Sequence, residues 1–160
     1  MSDNKNLYDA LASAIYVSRL VIRGESVDSD DKRLRASGLY DDWAAGGHKT
    51  GEIYNTQAKG GLGDEWEQTW ECIQDYDSAV YPDILPGSEV WHTFHRPLHG
   101  TSPATARPFV KPTHGTVDLY KVGECMVWTD GTVKRCKRDT NFSPDEYAAD
   151  WEDVEPTAEN

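Results

Sequence analysis

The side chains with most capacity for chemistry in this sequence are histidines, carboxylates, thiols and an unusual set of aromatics. His92-x-x-His95-x-x-x-His99 has the spacing at which a helix would align three imidazoles on a metal ion. Pro97 and Gly100 break such a helix and no carboxylate follows at a compatible position, so linker histidines without a metal are expected. With 28 Asp and Glu, carboxylate pairs are inevitable, and counting them decides nothing about glycoside hydrolysis. There is no Ser-His-Asp order signature and no H-E-x-x-H, and Gly60-Gly61-Leu62-Gly63 lacks the Lys-Ser/Thr of a phosphate cradle. The expectation is a protein that is not an enzyme and uses no cofactor.

The aromatics point elsewhere. Six Trp and eight Tyr stand against three Phe, a bias toward rings that keep a polar tip wet while the face makes contact. A pyranose presents a flat patch of C–H groups to such a face and needs planar polar side chains beside it. Candidate platforms are Trp43, Tyr54, Tyr81 and Trp91 in the first half, and Tyr120, Trp128, Tyr147 and Trp151 in the second. For Trp91 and Trp151 a core role is the favoured one, because a unit of about 45 residues has little else to build a core from. Trp128, at a hairpin end, and Tyr147, in Asp145-Glu146-Tyr147, are expected to be the more exposed.

The formal charge of -12, from 16 bases and 28 acids, argues against nucleic acid as a partner and against docking on anionic lipid. The one basic cluster, Lys134-Arg135-Lys137-Arg138, would meet either an anionic wall polymer such as teichoic acid or the acidic C-terminal segment, the latter being favoured. From Asp139 to Asn160 there are eight acids and no base. No apolar run approaches the 18 residues of a membrane span. The N-terminus lacks the basic region of a secretory signal, so synthesis in a cytoplasm is expected.

Cys72, Cys125 and Cys136 are too few for a disulfide framework. Thr129-Asp130-Gly131-Thr132 reads as a two-residue hairpin turn, which would set Trp128 opposite Val133 and Cys125 opposite Cys136 at a hydrogen-bonded pair. Either a disulfide or two reduced core thiols could then follow, the thiols being the expected state.

Two helices and a series of short strands must position these groups. Apolar residues at helical spacing predict a helix over 5–23, capped by Asp3 or Asn4 and ended by Gly24, with Leu7, Leu11, Ala14, Ile15, Val21 and Ile22 on a wide apolar face. That face either folds back on the first β unit or self-associates as a three-helix bundle, the second being favoured. A short helix from about Asp30 to Ala36, capped by Ser29, stops at Gly38. After that, strand signals alternate with turns. His99 to Pro108 reads as an exposed linker between β units at 39–98 and 109–154, and 155–160 as an acidic tail.

The two β units share a skeleton: Gly-Glu (Gly51-Glu52, Gly123-Glu124), Cys-x-x-Asp (Cys72 to Asp75, Cys136 to Asp139), a Ser/Pro loop, and a Trp three residues before an apolar residue (Trp91 to Phe94, Trp151 to Val154). The first unit carries eight extra residues, Ala58–Glu65, expected at a hairpin tip. This skeleton resembles the small chitin- and cellulose-binding modules of glycoside hydrolases. The carriers are Tyr120-x-x-Gly123-Glu124, Arg135-Cys136, Ser143-Pro144 and Trp151-x-x-Val154. Trp43 fills the opening position of the first unit, and His48 stands where the family has Tyr. With Leu39-Tyr40-Asp41-Asp42-Trp43 and Pro108-Phe109-Val110-Lys111-Pro112-Thr113, the whole is similar to small tail-region proteins of phages and prophages of Gram-positive hosts.

The resulting expectation is a mainly β fold with an N-terminal helix and two small three-stranded antiparallel modules in tandem. The resemblance implies a non-enzymatic virion protein of tail tip, baseplate or fibre, holding other virion proteins through its helix and gripping a host wall glycan, with a homotrimer favoured. The alternatives are a structural virion joint that binds no sugar, and a detached binding module of a wall hydrolase.

Overall fold

The computed structural model describes residues 3–57, 67–113 and 115–155. The protein is mainly β with an N-terminal helix. Helix α1 (Asp3–Ile22) starts two residues earlier than its apolar pattern does, and capping by Asp3 or Asn4 rests on side chains outside the described residues. Gly24 ends it at φ +73°, with the Gly24 and Glu25 amides donating to Val21 and Leu20 carbonyls. Helix α2 (Asp30–Arg35) is capped by Ser29, whose Oγ accepts from the Lys32 amide at 3.2 Å.

In the first unit, β1 (Gly47–His48) pairs with β4 (Tyr76–Asp77). Strands β2 (Ile53–Gln57), β3 (Glu67–Cys72) and β5 (His95–Pro97) form a three-stranded antiparallel sheet. In the second, β7 (Cys125–Val127), β8 (Val133–Cys136) and β9 (Trp151–Val154) do the same, and β6 (Arg107–Pro108) joins the edge in parallel. The Ala58–Glu65 extension at the β2–β3 tip and the tail beyond Glu155 lie outside the described residues.

The internal repeat is visible bond by bond. Gly51 N to Cys72 O (2.8 Å) and Cys72 N to Glu52 O (2.8 Å) match Gly123 N to Cys136 O (2.9 Å) and Cys136 N to Glu124 O (2.8 Å). Gly51 and Gly123 both hold positive φ, +93° and +92°, which a residue with a Cβ would adopt only with strain. Asp75 accepts from the Thr50 amide as Asp139 accepts from that of Val122. Trp43 N donates to Asn55 O as Phe109 N donates to Val127 O, so Phe109 takes the opening position in the second unit. One equivalence differs from the sequence skeleton. Cys72 pairs with His95 and Cys136 with Trp151, so the strand counterpart of Trp151 is His95, while Trp91 sits in a 3-10 turn ahead of the strand.

Residues 99–108 are not an exposed linker. Gly100 bridges to Cys125, and His99, Ser102, Thr105 and Ala106 are buried. The cause is α2: Asp31 accepts from the Thr101 amide (3.0 Å) and Thr105 Oγ1 (2.7 Å), while Arg35 reaches Ser102 and Arg107 reaches Ser37. Asp30 meanwhile takes a two-pronged pair from Arg96 of β5 at 2.8 Å on each arm, and Arg96 also holds Glu71 of β3 at 2.8 Å. Helix α2 therefore ties both sheets together. Burial alone would raise the Asp30 carboxyl, but the Arg96 hydrogen bonds and charge outweigh it and hold the group below the usual carboxylate range.

The β7–β8 register also differs by one residue. Cys125 faces Arg135 and Val127 faces Val133. Among the described residues no non-glycine residue has positive φ, which excludes a type I′ turn here. The tip is instead Thr129-Asp130-Gly131, with Gly131 at +90° and its amide bonded to Trp128 O. The shift puts the two thiols on opposite faces of the sheet: Cys125 packs with Ala106, Val127 and Val133, and Cys136 with Tyr120, Met126 and Trp151. Cys72, Cys125 and Cys136 are all free, and burial pushes the Cys136 thiol up to about 11.

Helix α1 docks, but not by its apolar stripe. Ser13 Oγ donates to Arg35 O (3.1 Å) and accepts from the Gly38 amide (3.0 Å), and Leu20 is buried on the same side. Leu7, Leu11, Ile15, Val21 and Ile22 remain exposed and Ala14 is half-buried.

Candidate functional site

Four of the expected platforms are structural: Tyr54, Tyr120, Trp151, and Trp91, which is 8% exposed in the core of the first unit. Tyr54 is 1% exposed, and its hydroxyl meets His95 Nδ1 at 2.6 Å. Burial raises the Tyr54 pKa and lowers that of His95 to about 4, so the phenol donates, the neutral imidazole accepts, and His95 Nε2 turns to Ile84 O. Tyr120 is 2% exposed; its hydroxyl accepts from the Val110 amide at 3.1 Å. Trp151 is buried, with Nε1 donating to Phe142 O at 3.1 Å. These rings offer no face to a ligand, because small sheets spend their largest side chains on their own cores.

The remaining four do not share one location. Tyr147 (44% exposed) lies under Arg138, 5.1 Å from the ring centroid, near Phe142. Trp128 is half-buried with its edge toward Phe109 at 5.2 Å, and Tyr81 (46% exposed) lies against Phe94 at 5.1 Å. Trp43, by contrast, stands in a cleft whose wall includes an edge of the buried Trp91.

That cleft, of about 500 Å³, opens between the first sheet and the start of the second unit. Thr56, Gln68 and Trp70 lie on one face of the β2–β3 ladder and form one side of it. Trp70 Nε1 donates to Thr56 Oγ1 at 2.8 Å, and Trp91 packs on Trp70 with ring centroids 5.6 Å apart. Trp43 is held by its Nε1 bond to Tyr76 Oη (2.8 Å) and by near-parallel stacking on His48. Leu85–Glu89 supplies another wall and Pro108–Lys111 the last, pinned by Gln68 Nε2 donating to Pro108 O at 2.5 Å. Gln68 Oε1 is buried with no partner among the described residues. Glu89 and Lys111 are exposed and bring one charge of each sign to the cleft.

Trp70, Gln68, Glu89, Phe109 and Lys111 were not among the expected binding residues. Strand alternation puts Gln68 beside Trp70, and this is the one signal in the sequence for two of the five. Nothing local announces that Pro108–Lys111 closes the cleft, because that wall comes from the other unit.

The three histidines of 92–99 do not converge: His95 meets Tyr54 and His99 meets Glu124 at 2.9 Å. Among the described residues no group of three or more His, Cys, Asp or Glu is placed to hold a metal, and no helix is long and apolar enough to cross a membrane. The basic cluster meets the C-terminal segment of its own chain, through Lys134–Asp153 (2.6 Å) and Arg138–Asp150 (2.6 Å).

Fold and cleft together define a mainly β protein built from two related units with an aromatic groove at their junction. No family model, curated protein or solved structure matches the chain.

Proposed function

We propose that this chain is a non-enzymatic bacteriophage virion protein of the tail tip, baseplate or a fibre, and that it holds a carbohydrate of the host surface in the cleft between its units. The observation that carries this reading is the cleft itself. Trp43 and Phe109 offer flat apolar faces of the kind a sugar ring covers, and Thr56, Gln68, Ser88 and Glu89 stand beside them to meet hydroxyls. Gln68 Oε1, an acceptor with no partner among the described residues, gains from a ligand hydroxyl that reaches it.

The test is co-sedimentation with purified cell walls, comparing the natural chain with Trp43→Ala and Glu89→Ala. The expected result is binding that both substitutions weaken by tenfold or more, while Tyr81→Ala, outside the cleft, leaves it unchanged. Wall binding that is indifferent to both cleft substitutions would retire this site.

A second reading, a structural virion joint whose units bind neighbouring proteins and no sugar, is favoured by the burial of Tyr54, Tyr120 and Trp151. Under it the natural chain does not bind walls at all and is recovered bound to another virion protein.

A further inference from the structure

The outer face of α1 goes beyond that reading. Leu7, Tyr8, Leu11, Ile15, Val21 and Ile22 are 46–84% exposed, and with Ala14 and Ser18 they cover about 140° of the helix at 100° per residue. In a chain with 28 acids and 16 bases, these eight positions carry no charge. Ser18 is the one polar member, and its hydroxyl already donates to Ala14 O at 2.8 Å, so it can be covered without losing a bond.

The stripe faces outward by construction. On the opposite face, Ser13 is bonded to Arg35 O and the Gly38 amide, and Leu20 is buried. Gly38 fits there only because it lacks a Cβ, which would stand 2.4 Å from Asp9 O. The helix therefore cannot roll to hide its apolar side.

We infer that this face is the interface between three copies of the chain, each contributing α1 to a parallel three-helix bundle. Tyr8, Leu11, Ile15, Ser18 and Ile22 repeat at spacings of three and four, the pattern of a helix that packs against helices. Leu7, Ala14 and Val21 widen the stripe beyond the narrow seam of a two-stranded coil, so each helix has apolar surface for two neighbours. The exposed fractions leave roughly 700 Å² of large apolar side chain per copy, close to the ~800 Å² that each partner buries in a specific interface. Both sheets are tied to α2, on the docked side of α1, and so lie outside the bundle.

Analytical ultracentrifugation of the full chain tests this. The natural chain is expected to sediment at three times its 17.9 kDa. The double variant Leu11→Glu, Ile15→Glu and the single variant Ile22→Glu should sediment as monomers with an unchanged near-ultraviolet circular dichroism spectrum, because none of these side chains supports the fold of its own copy. A monomeric or dimeric natural chain overturns the inference, as does either variant that folds and stays trimeric.

Discussion

His99 lies flat on Tyr120, with ring centroids 3.8 Å apart and planes 8° from parallel, and its Nδ1 meets Glu124 Oε1 at 2.9 Å. A residue of the connecting segment thus completes the core of the second unit. His99→Ala removes the stacked ring and its bond to Glu124, and a loss of about 2–3 kcal/mol is expected in urea unfolding.

The same segment should resist proteases. Its Ser, Thr, Pro and Ala composition is that of a cleavable linker, yet Gly100 bridges to Cys125 and Thr105 is 2% exposed. Limited digestion with a protease of broad specificity, such as proteinase K, under native conditions is expected to leave 99–108 intact. Gly100→Ala, whose Cβ would meet Thr105 O at 2.3 Å, should unseat the segment and expose it. Early cutting of the natural chain within 99–108 would contradict this arrangement.

Arg96 joins α2 to the first sheet. Replacing it with Met leaves Asp30 and Glu71 partly buried without their cation, which is expected to cost about 3 kcal/mol. Arg96→Lys should recover only part of that, since an ammonium cannot grip Asp30 with two arms. Chemical denaturation of the two variants side by side makes the measurement.

Stability should depend on pH through His95. Its imidazole titrates near 6.5 when unfolded and near 4 when folded, because burial, with His48 nearby, disfavours its charged form. Between those values the unfolded chain binds the extra proton, so stability is fully present above about 6.5 and falls as pH drops toward 4. The loss should approach 1.4 kcal/mol per pH unit at its steepest and total about 3 kcal/mol. In His95→Gln the fall over this range should shrink. An identical pH profile in both proteins would rule out His95 as the cause.

Gly38→Ala probes the seat of α1. The added methyl would stand 2.4 Å from Asp9 O, so the helix must lift, with a loss of about 2 kcal/mol and faster amide exchange across α1.

What the sequence disclosed is what local chemistry decides. Ser29 before an acidic first turn and Gly24 after an apolar run place helix ends by hydrogen bonds made within a few residues. Gly51-Glu52 and Gly123-Glu124 mark equivalent turns because the glycine is needed at positive φ. What it concealed depends on distant partners. The polar stretch 99–108 looks solvated until Asp31, some 70 positions away, supplies its acceptor. The inward side of α1 is decided by a serine and a glycine that no hydrophobic pattern singles out. Asp-Gly fits both two- and three-residue hairpin tips, so the register could not be read from it. The cleft was half legible: Trp43 and Trp91 stood out by type, but Phe109 and Lys111 join them only through contact between units.

The one-residue offset at the β7–β8 tip has an experimental use. Because Cys125 and Cys136 point to opposite sides of one sheet and Cys72 lies in the other, each layer holds its own intrinsic reporter. The rate at which each sulfur is alkylated under native conditions therefore times the local opening of one layer, with no label introduced.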